Sequence, residues 1–226
     1  MLFEVRCAGC DQPGAVLCRR CRLALAVPSG LPESPDVIAA VPFRGCARSV
    51  VLALKHRHSR RLAHHLAGLL VNRILRAGVD PARIDVVTWA PTTGRHRRRR
   101  GFDQAEVIAR RVGLQLGIPV RRLLERTDTT TQTGADRAAR LLGPSYRVSP
   151  AASGRRVLLI DDVATTGATL RSGDHALRGA GASAVVRAAV AITPAEQPAR
   201  RRPGSTGLPP VTALRPVAEA PTPRAA

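Results

Sequence analysis

Between residues 37 and 193, short apolar runs alternate with longer stretches whose apolar positions recur at helical spacing. The apolar runs, bounded by polar or glycine-rich turns, predict strands over 37–43, 84–90, 122–126, 156–161 and 184–192. The helical periodicity predicts helices over 47–55, 61–77, 102–117, 135–142 and 168–180. Strands that take turns with helices of this length build βαβ units, because parallel neighbours need a crossover between them. The expected fold class is α/β, with a mainly parallel sheet flanked by helices.

Both ends of the chain leave this pattern. Residues 27–36, VPSGLPESPD, read as a Pro/Gly/Ser linker that sets off an N-terminal module over 1–26. Residues 194–226 hold eight of the 18 prolines and five Arg against two Glu, which predicts a disordered tail. With 226 residues and 44% hydrophobic content, the chain suits one α/β domain over 37–193 plus a small module, and is too short for two domains of usual size.

The formal net charge is +20; the tail carries +3 of it, which leaves +17 on the rest. That excess attracts polyanions such as nucleic acid and phosphorylated metabolites. It is almost all arginine, since Lys55 is the sole lysine. Three Phe, one Trp and one Tyr are few for a binder that stacks bases. No run nears the roughly 18 apolar residues of a membrane helix, and MLFEVRCAGC lacks the cationic start and apolar run of a secretory signal. A cytoplasmic chain without membrane insertion is expected.

Cys7, Cys10, Cys18 and Cys21 form two CxxC pairs separated by seven residues. Two residues between ligands let one turn present both sulfurs, so this spacing points to one tetrahedral structural zinc. A module this short cannot fold on apolar burial alone, and metal binding would supply its folding free energy. The alternatives are two disulfides, which suit a reducing compartment less well, or free thiols. Cys46 stands apart and reads as a small buried apolar residue. His56, His58, His64 and His65 lack ligand spacing to the cysteines and read as solvated helix residues.

The segment RVLLIDDVATTGATL carries the strongest chemical signal. It reads as a strand over 157–161 that ends in Asp161 and Asp162. A turn follows, Ala164, Thr165, Thr166, Gly167, Ala168 and Thr169, which opens into a helix. Glycine allows close backbone approach, the amides point outward, and the helix dipole favours an anion. The acids suit vicinal ribose hydroxyls or a magnesium ion bound to them. An exposed acid pair beside such a turn has no packing purpose, so a ribose 5-phosphate site is expected. No GxxxxGK[ST] occurs, which excludes a P-loop NTPase, and the GAGASA run after the last helix reads as its C-cap.

This run resembles the phosphoribosyl pyrophosphate (PRPP) motif of type I phosphoribosyltransferases. The resemblance implies that Asp161 and Asp162 are the catalytic-site acids that contact the ribose, that Ala164 to Thr169 hold the 5-phosphate, and that magnesium accompanies PRPP. Upstream, five arginines fall within Arg95 to Arg100. Arg97, Arg98, Arg99 and Arg100, with Gly101, suit either a cationic loop over pyrophosphate or a track for a nucleic-acid backbone.

The similarity then narrows to the ComF family of competence and DNA-utilisation proteins. There a four-cysteine finger precedes the phosphoribosyltransferase domain, and RGFNQ precedes spaced Arg, Gln and Arg. This chain has Arg100-Gly101-Phe102-Asp103-Gln104, then Arg126, Gln132 and Arg137 in a hood segment, and Leu54-Lys55, which matches the family's LK segment. It departs at Asp103, where Asn is usual, and at Trp89-Ala90-Pro91, where PVP is common; Asp103 adds a negative charge beside the anion loop. Membership implies a role in DNA uptake with single-stranded DNA and a helicase partner. The fold also allows an active phosphoribosyltransferase, whose acceptor the sequence does not reveal.

Overall fold

The computed structural model describes residues 4–27, 31, 36–56, 60–94, 98, 101–127 and 144–194. Four strands, β1 (Ile38–Pro42), β2 (Val86–Trp89), β5 (Arg156–Ala164) and β6 (Ala184–Ile192), make one parallel sheet in the order β1-β6-β5-β2. Their near-continuous apolar runs follow from burial on both faces, as parallel sheets require. Alternation sorts the side chains. Leu158, Ile160, Ala188 and Val190 face one core, and Val157, Leu159, Val185 and Ala189 the other.

The first core is closed by helices α2 (Gly45–His56), α3 (Arg60–Arg76) and α4 (Gln104–Leu116), through Val50 and Leu54, Leu62, Leu66 and Leu70, and Ile108 and Val112. The second is closed by α5 (Ala168–Gly179) through Leu170 and Leu177. It also takes a two-stranded antiparallel sheet of β3 (Leu124–Arg126) and β4 (Tyr146–Val148). Beyond the end of α5, Gly181 N–H reaches Arg178 O and Ala182 N–H reaches Leu177 O, the C-cap expected for that run. No helix among the described residues is long and apolar enough to cross a membrane.

Three expectations change. The strand that carries the acids does not end at Asp161: it runs on to Ala164, because β6 keeps pairing with it as far as Ala164 opposite Ile192. The strand expected over 122–126 does not join the parallel sheet. It pairs with β4, which has no apolar run to announce it, while Val120 makes the parallel bridge to Val87. The cysteine module contains a helix, α1 (Arg19–Ala26), whose Cys21 and Leu25 lie one turn apart and are buried. With Cys7 and Leu17 they join the apolar cluster of α2 and α3, so the module is packed on the body. The helix expected over 135–142 and the tail from 195 onward lie outside the described residues.

Candidate functional site

At the carboxyl ends of β2 and β5 a cleft of about 250 Å3 opens. Crevices beyond strand carboxyl ends are where open α/β sheets bind ligands. Pro91 and Thr92 enter it from β2, Asp103 and Gln104 from the start of α4, and Arg126 from the end of β3. Asp161 and Asp162 come from β5, and Thr169 from α5. Sequence positions 90 to 169 thus meet in one place.

The acids are not the exposed pair that the sequence suggested. Asp161 is 8% exposed and Asp162 half-buried, because both still belong to a central strand. Asp161 Oδ1 accepts the Asp162 N–H at 2.8 Å, and Asp162 Oδ1 accepts the Val163 N–H at 2.9 Å. Burial first, then the neighbouring Asp162 and Asp103 charges, push the Asp161 carboxyl well above the usual carboxylate range. Such a group is stabilised by a cation or by hydroxyl donors. That hard-oxygen donor set fits both a magnesium ion and a ribose diol.

Asp103 entered the sequence reading only as an added charge. It is buried at the N-cap of α4, where its carboxylate accepts the Ala105 N–H at 3.1 Å and the Thr92 N–H at 2.8 Å. It therefore ties the exit of β2 to the start of α4. Burial raises its pKa despite these bonds and one from the Glu106 N–H, and Asp162 adds to the rise. An Asp followed three residues later by Glu, ahead of an apolar helix, is a capping signature that was legible in the sequence.

The turn from Ala164 to Thr169 joins β5 to α5. Gly167, at φ +72°, is the N-cap of α5 and supplies no capping side chain. Thr166 Oγ1 accepts the Ala168 N–H at 3.3 Å, and Thr165 and Thr166 are exposed. Arg171, which sequence reading missed, donates from Nη1 to Thr166 O at 2.7 Å and underpins the turn. A Cβ on residue 167 would come within 3.1 Å of that Nη1. An arginine in the first turn opposes the helix dipole, and that conflict was the available signal.

The cationic candidates are only partly assembled here. Arg126 lines the cleft, whereas Arg98, which is exposed, and Gly101 do not. Lys55 lies in the last turn of α2. Arg97, Arg99, Arg100, Gln132 and Arg137 lie outside the described residues.

The second constellation is the cysteine cluster, whose four sulfurs lie within 4.8 Å of one another. Zn–S bonds of about 2.3 Å would set tetrahedral thiolates about 3.8 Å apart. Cys10 Sγ lies 3.7 Å from Cys18 Sγ, and no cysteine here is in a disulfide. Cys7 Sγ accepts the Gly9 N–H at 3.4 Å and the Cys18 N–H at 3.3 Å. Burial pushes this thiol up, but backbone N–H groups, Cys18 foremost, bring it down to about 6, so it is readily a thiolate. The residues fit zinc. Cys46 is half-buried and sits against the cluster: a Cβ on Gly9 would meet Cys46 Sγ at 2.6 Å and Cys21 Sγ at 2.7 Å.

Comparison with known proteins adds a likeness over part of the chain. Residues 98–209 match the phosphoribosyl transferase domain. No curated protein matches the chain. Among solved structures, the purine phosphoribosyltransferase of Pyrococcus horikoshii Ot3 is 18% identical, with 58% of this chain and 74% of that one covered and a TM-score of 0.39. The glutamine PRPP amidotransferase of B. subtilis, complexed with ADP and GMP, is 20% identical, with a TM-score of 0.45. It aligns with 70% of this chain, which spans 32% of its length. The PRPP synthetase of Mycobacterium smegmatis is 22% identical over 55% of this chain and 33% of its own, with a TM-score of 0.35. The matched segment spans less than half of the chain and carries the acids of β5 and the turn that opens α5; over that segment the chain resembles this domain.

Proposed function

We propose that this protein binds PRPP with magnesium in the cleft between β2 and β5 and transfers its ribose 5-phosphate to an acceptor nucleophile, which bonds to C1 of the ribose as the C1–pyrophosphate bond breaks and pyrophosphate leaves. The observation that carries this reading is the continuity of β5, loop and α5. One strand delivers Asp161 and Asp162 to the cleft, and the turn that follows opens a helix whose N-cap, Gly167, supplies no capping side chain. The acids accept the ribose hydroxyls, the turn amides and Thr166 take the 5-phosphate, and Arg126 adds positive charge to the cleft wall. Magnesium, held by the same acids, would neutralise the pyrophosphate oxygens. The chain contributes positioning and charge stabilisation, and no strong general base is needed for a reaction whose transition state gathers positive charge on the sugar. Calorimetric titration of PRPP with magnesium tests this: Asp161→Asn with Asp162→Asn should bind far more weakly than wild type. Equal binding overturns the reading.

For the cellular role we propose a cytoplasmic DNA-uptake protein of the ComF type, with single-stranded DNA and a helicase as partners. Its support is the order of a four-cysteine module, RGFDQ and DDVATTGAT in one strongly basic chain. A salt titration of fluorescent oligonucleotide binding should give a steep slope. Changing Arg97, Arg98, Arg99 and Arg100 to Ala should flatten it by about 0.7 per lost phosphate contact. If these changes abolish PRPP binding and leave the slope untouched, the loop is a pyrophosphate clamp and the DNA role falls. An enzyme that passes ribose 5-phosphate to a base in nucleotide metabolism is the reading that then stands.

A further inference from the structure

A second cleft, of about 630 Å3, opens between the cysteine module and helices α3 and α4, and shares no residue with the first. Arg22 of α1, Arg61, His64 and His65 of α3, and Arg111 of α4 line it, and no carboxylate does. Among the described residues none of these arginines forms an ion pair. Arg22 is held in place by its Nε–H bond to Leu17 O at 3.1 Å. Guanidinium groups gathered without counter-charge make a positive field that an anion would relieve.

His65 sharpens the point, because it is not the solvated helix residue that the sequence suggested. It is half-buried, and its Nε2 is enclosed without a hydrogen-bond partner. A buried polar atom left so is costly. Burial, and then Arg22 and His64, hold its pKa below the ordinary histidine value, which registers the same positive surroundings.

The rest of the wall is apolar. Val16, Leu17 and Leu62 line the cleft, with Val5, 49% exposed, among them. A bare phosphate would not use that surface. A nucleic-acid strand needs an open track, whereas this space has the bounded size of small-ligand pockets. Phosphates on arginines with a base against aliphatic side chains is the chemistry that uses both halves.

We propose that this cleft is a second ligand site that takes a nucleoside polyphosphate, its phosphates on Arg22, Arg61 and Arg111 and its base against Val16, Leu17 and Leu62. Since the module supplies Arg22, Val16 and Leu17 and the body the rest, occupancy bridges the two. The site needs nothing of the PRPP reading, and the two can fail separately.

The test is calorimetry on the zinc-loaded full chain with saturating PRPP and magnesium, titrated with ATP, with tripolyphosphate and with a short single-stranded oligonucleotide. ATP should bind despite PRPP, and more tightly than tripolyphosphate. The variant Arg22→Gln with Arg61→Gln and Arg111→Gln should weaken ATP binding by about a hundredfold. Arg61→Gln alone, at an exposed position that leaves the fold undisturbed, should weaken it by about tenfold. Asp161→Asn with Asp162→Asn should leave ATP binding intact even as PRPP binding is lost. The proposal is overturned if ATP does not bind, if PRPP displaces it, or if Arg61→Gln binds it as wild type does. It also falls if tripolyphosphate binds as well as ATP, or if the oligonucleotide binds more tightly through the same arginines.

Discussion

The cysteine cluster and the cleft between β2 and β5 are built on opposite plans. All four ligands of the cluster come from 15 consecutive positions, 7 to 21, and the backbone of that stretch supports them, with the Gly9 and Cys18 N–H groups on Cys7 Sγ. The cleft draws on segments spread from Ala90 to Thr169, which arrive from β2, α4, β3, β5 and α5. A locally built site depends on its metal and on the few apolar contacts that dock it. An assembled site depends on the registry of the whole sheet, so distant changes reach it.

Zinc removal should have the largest effect. Structural zinc contributes apparent binding free energy of about 10–16 kcal/mol at neutral pH, and a stripped chain, or Cys21→Ser, should lose the fold of residues 4–27. Hydrogen exchange and one zinc per chain by elemental analysis would check this. Should the sheet lose protection together with the module, the two regions are one cooperative unit and the contrast breaks.

Next comes the acid pair. Replacing two charge-assisted hydrogen bonds in Asp161→Asn with Asp162→Asn should weaken PRPP binding by about a hundredfold without loss of zinc. Asp161 also imposes a pH dependence. Its folded pKa lies well above the ordinary 3.8, so its contribution to stability is complete below 3.8 and is lost as pH rises through the folded value. Asp161→Asn keeps an acceptor for the Asp162 N–H and sheds the buried charge. The ligand-free variant should therefore be more stable than wild type at neutral pH and gain nothing at pH 3, as thermal unfolding at the two pH values would show. A gain that did not vary with pH would remove the charge explanation.

A smaller effect probes the assembled character of the cleft from a distance. A Cβ on Gly173 would lie 2.9 Å from Leu159 Cδ2 and 3.3 Å from Leu124 Cδ1. Gly173→Ala should therefore lift α5 from β5 at about 1–3 kcal/mol. PRPP affinity should fall with it, since α5 carries the phosphate loop, while zinc content stays at one per chain. Unchanged PRPP binding in a destabilised variant would show that the loop does not depend on the seat of α5.

The smallest effect is at Asp103. Asn can cap the helix but has one acceptor oxygen where Asp103 uses two, for the Ala105 and Thr92 N–H groups, so Asp103→Asn should cost about 1 kcal/mol and Asp103→Ala, which loses both bonds, about 2 kcal/mol. Chemical denaturation would resolve the two. A larger loss in the Asn variant would mean that the charge, and not the cap, is what the fold uses.

Much of this was legible in sequence, for reasons that differ by element. The alternation of apolar runs and amphipathic stretches reported the α/β class because a sheet buried on both faces demands continuous apolar strands. The gathering of the four cysteines and the strand, glycine turn and helix of the DDVATTGAT run were legible because each is local: a few consecutive residues set the sulfurs together, and one strand-to-helix junction sets the turn. Short-range grammar failed at β4, whose alternation of Tyr146, Arg147 and Val148 is too short to announce a strand, and at the end of β5, where pairing with β6 holds the acids within the strand.

What the sequence determined by itself, then, is which residues could bind zinc and phosphate, because each set lies within one turn or one strand-to-helix junction. Tertiary structure decided where the acids sit and what surrounds them. Asp161 is buried because its strand lies inside the sheet, Asp103 is drawn into a cap that joins two elements, and Arg126 reaches the cleft from a separate hairpin. Tertiary structure also placed Arg22 beside Arg61 and Arg111, residues up to 89 positions apart, through the docking of the module's apolar face on α2 and α3. Burial and long-range approach are properties of packing, and no local pattern encodes them.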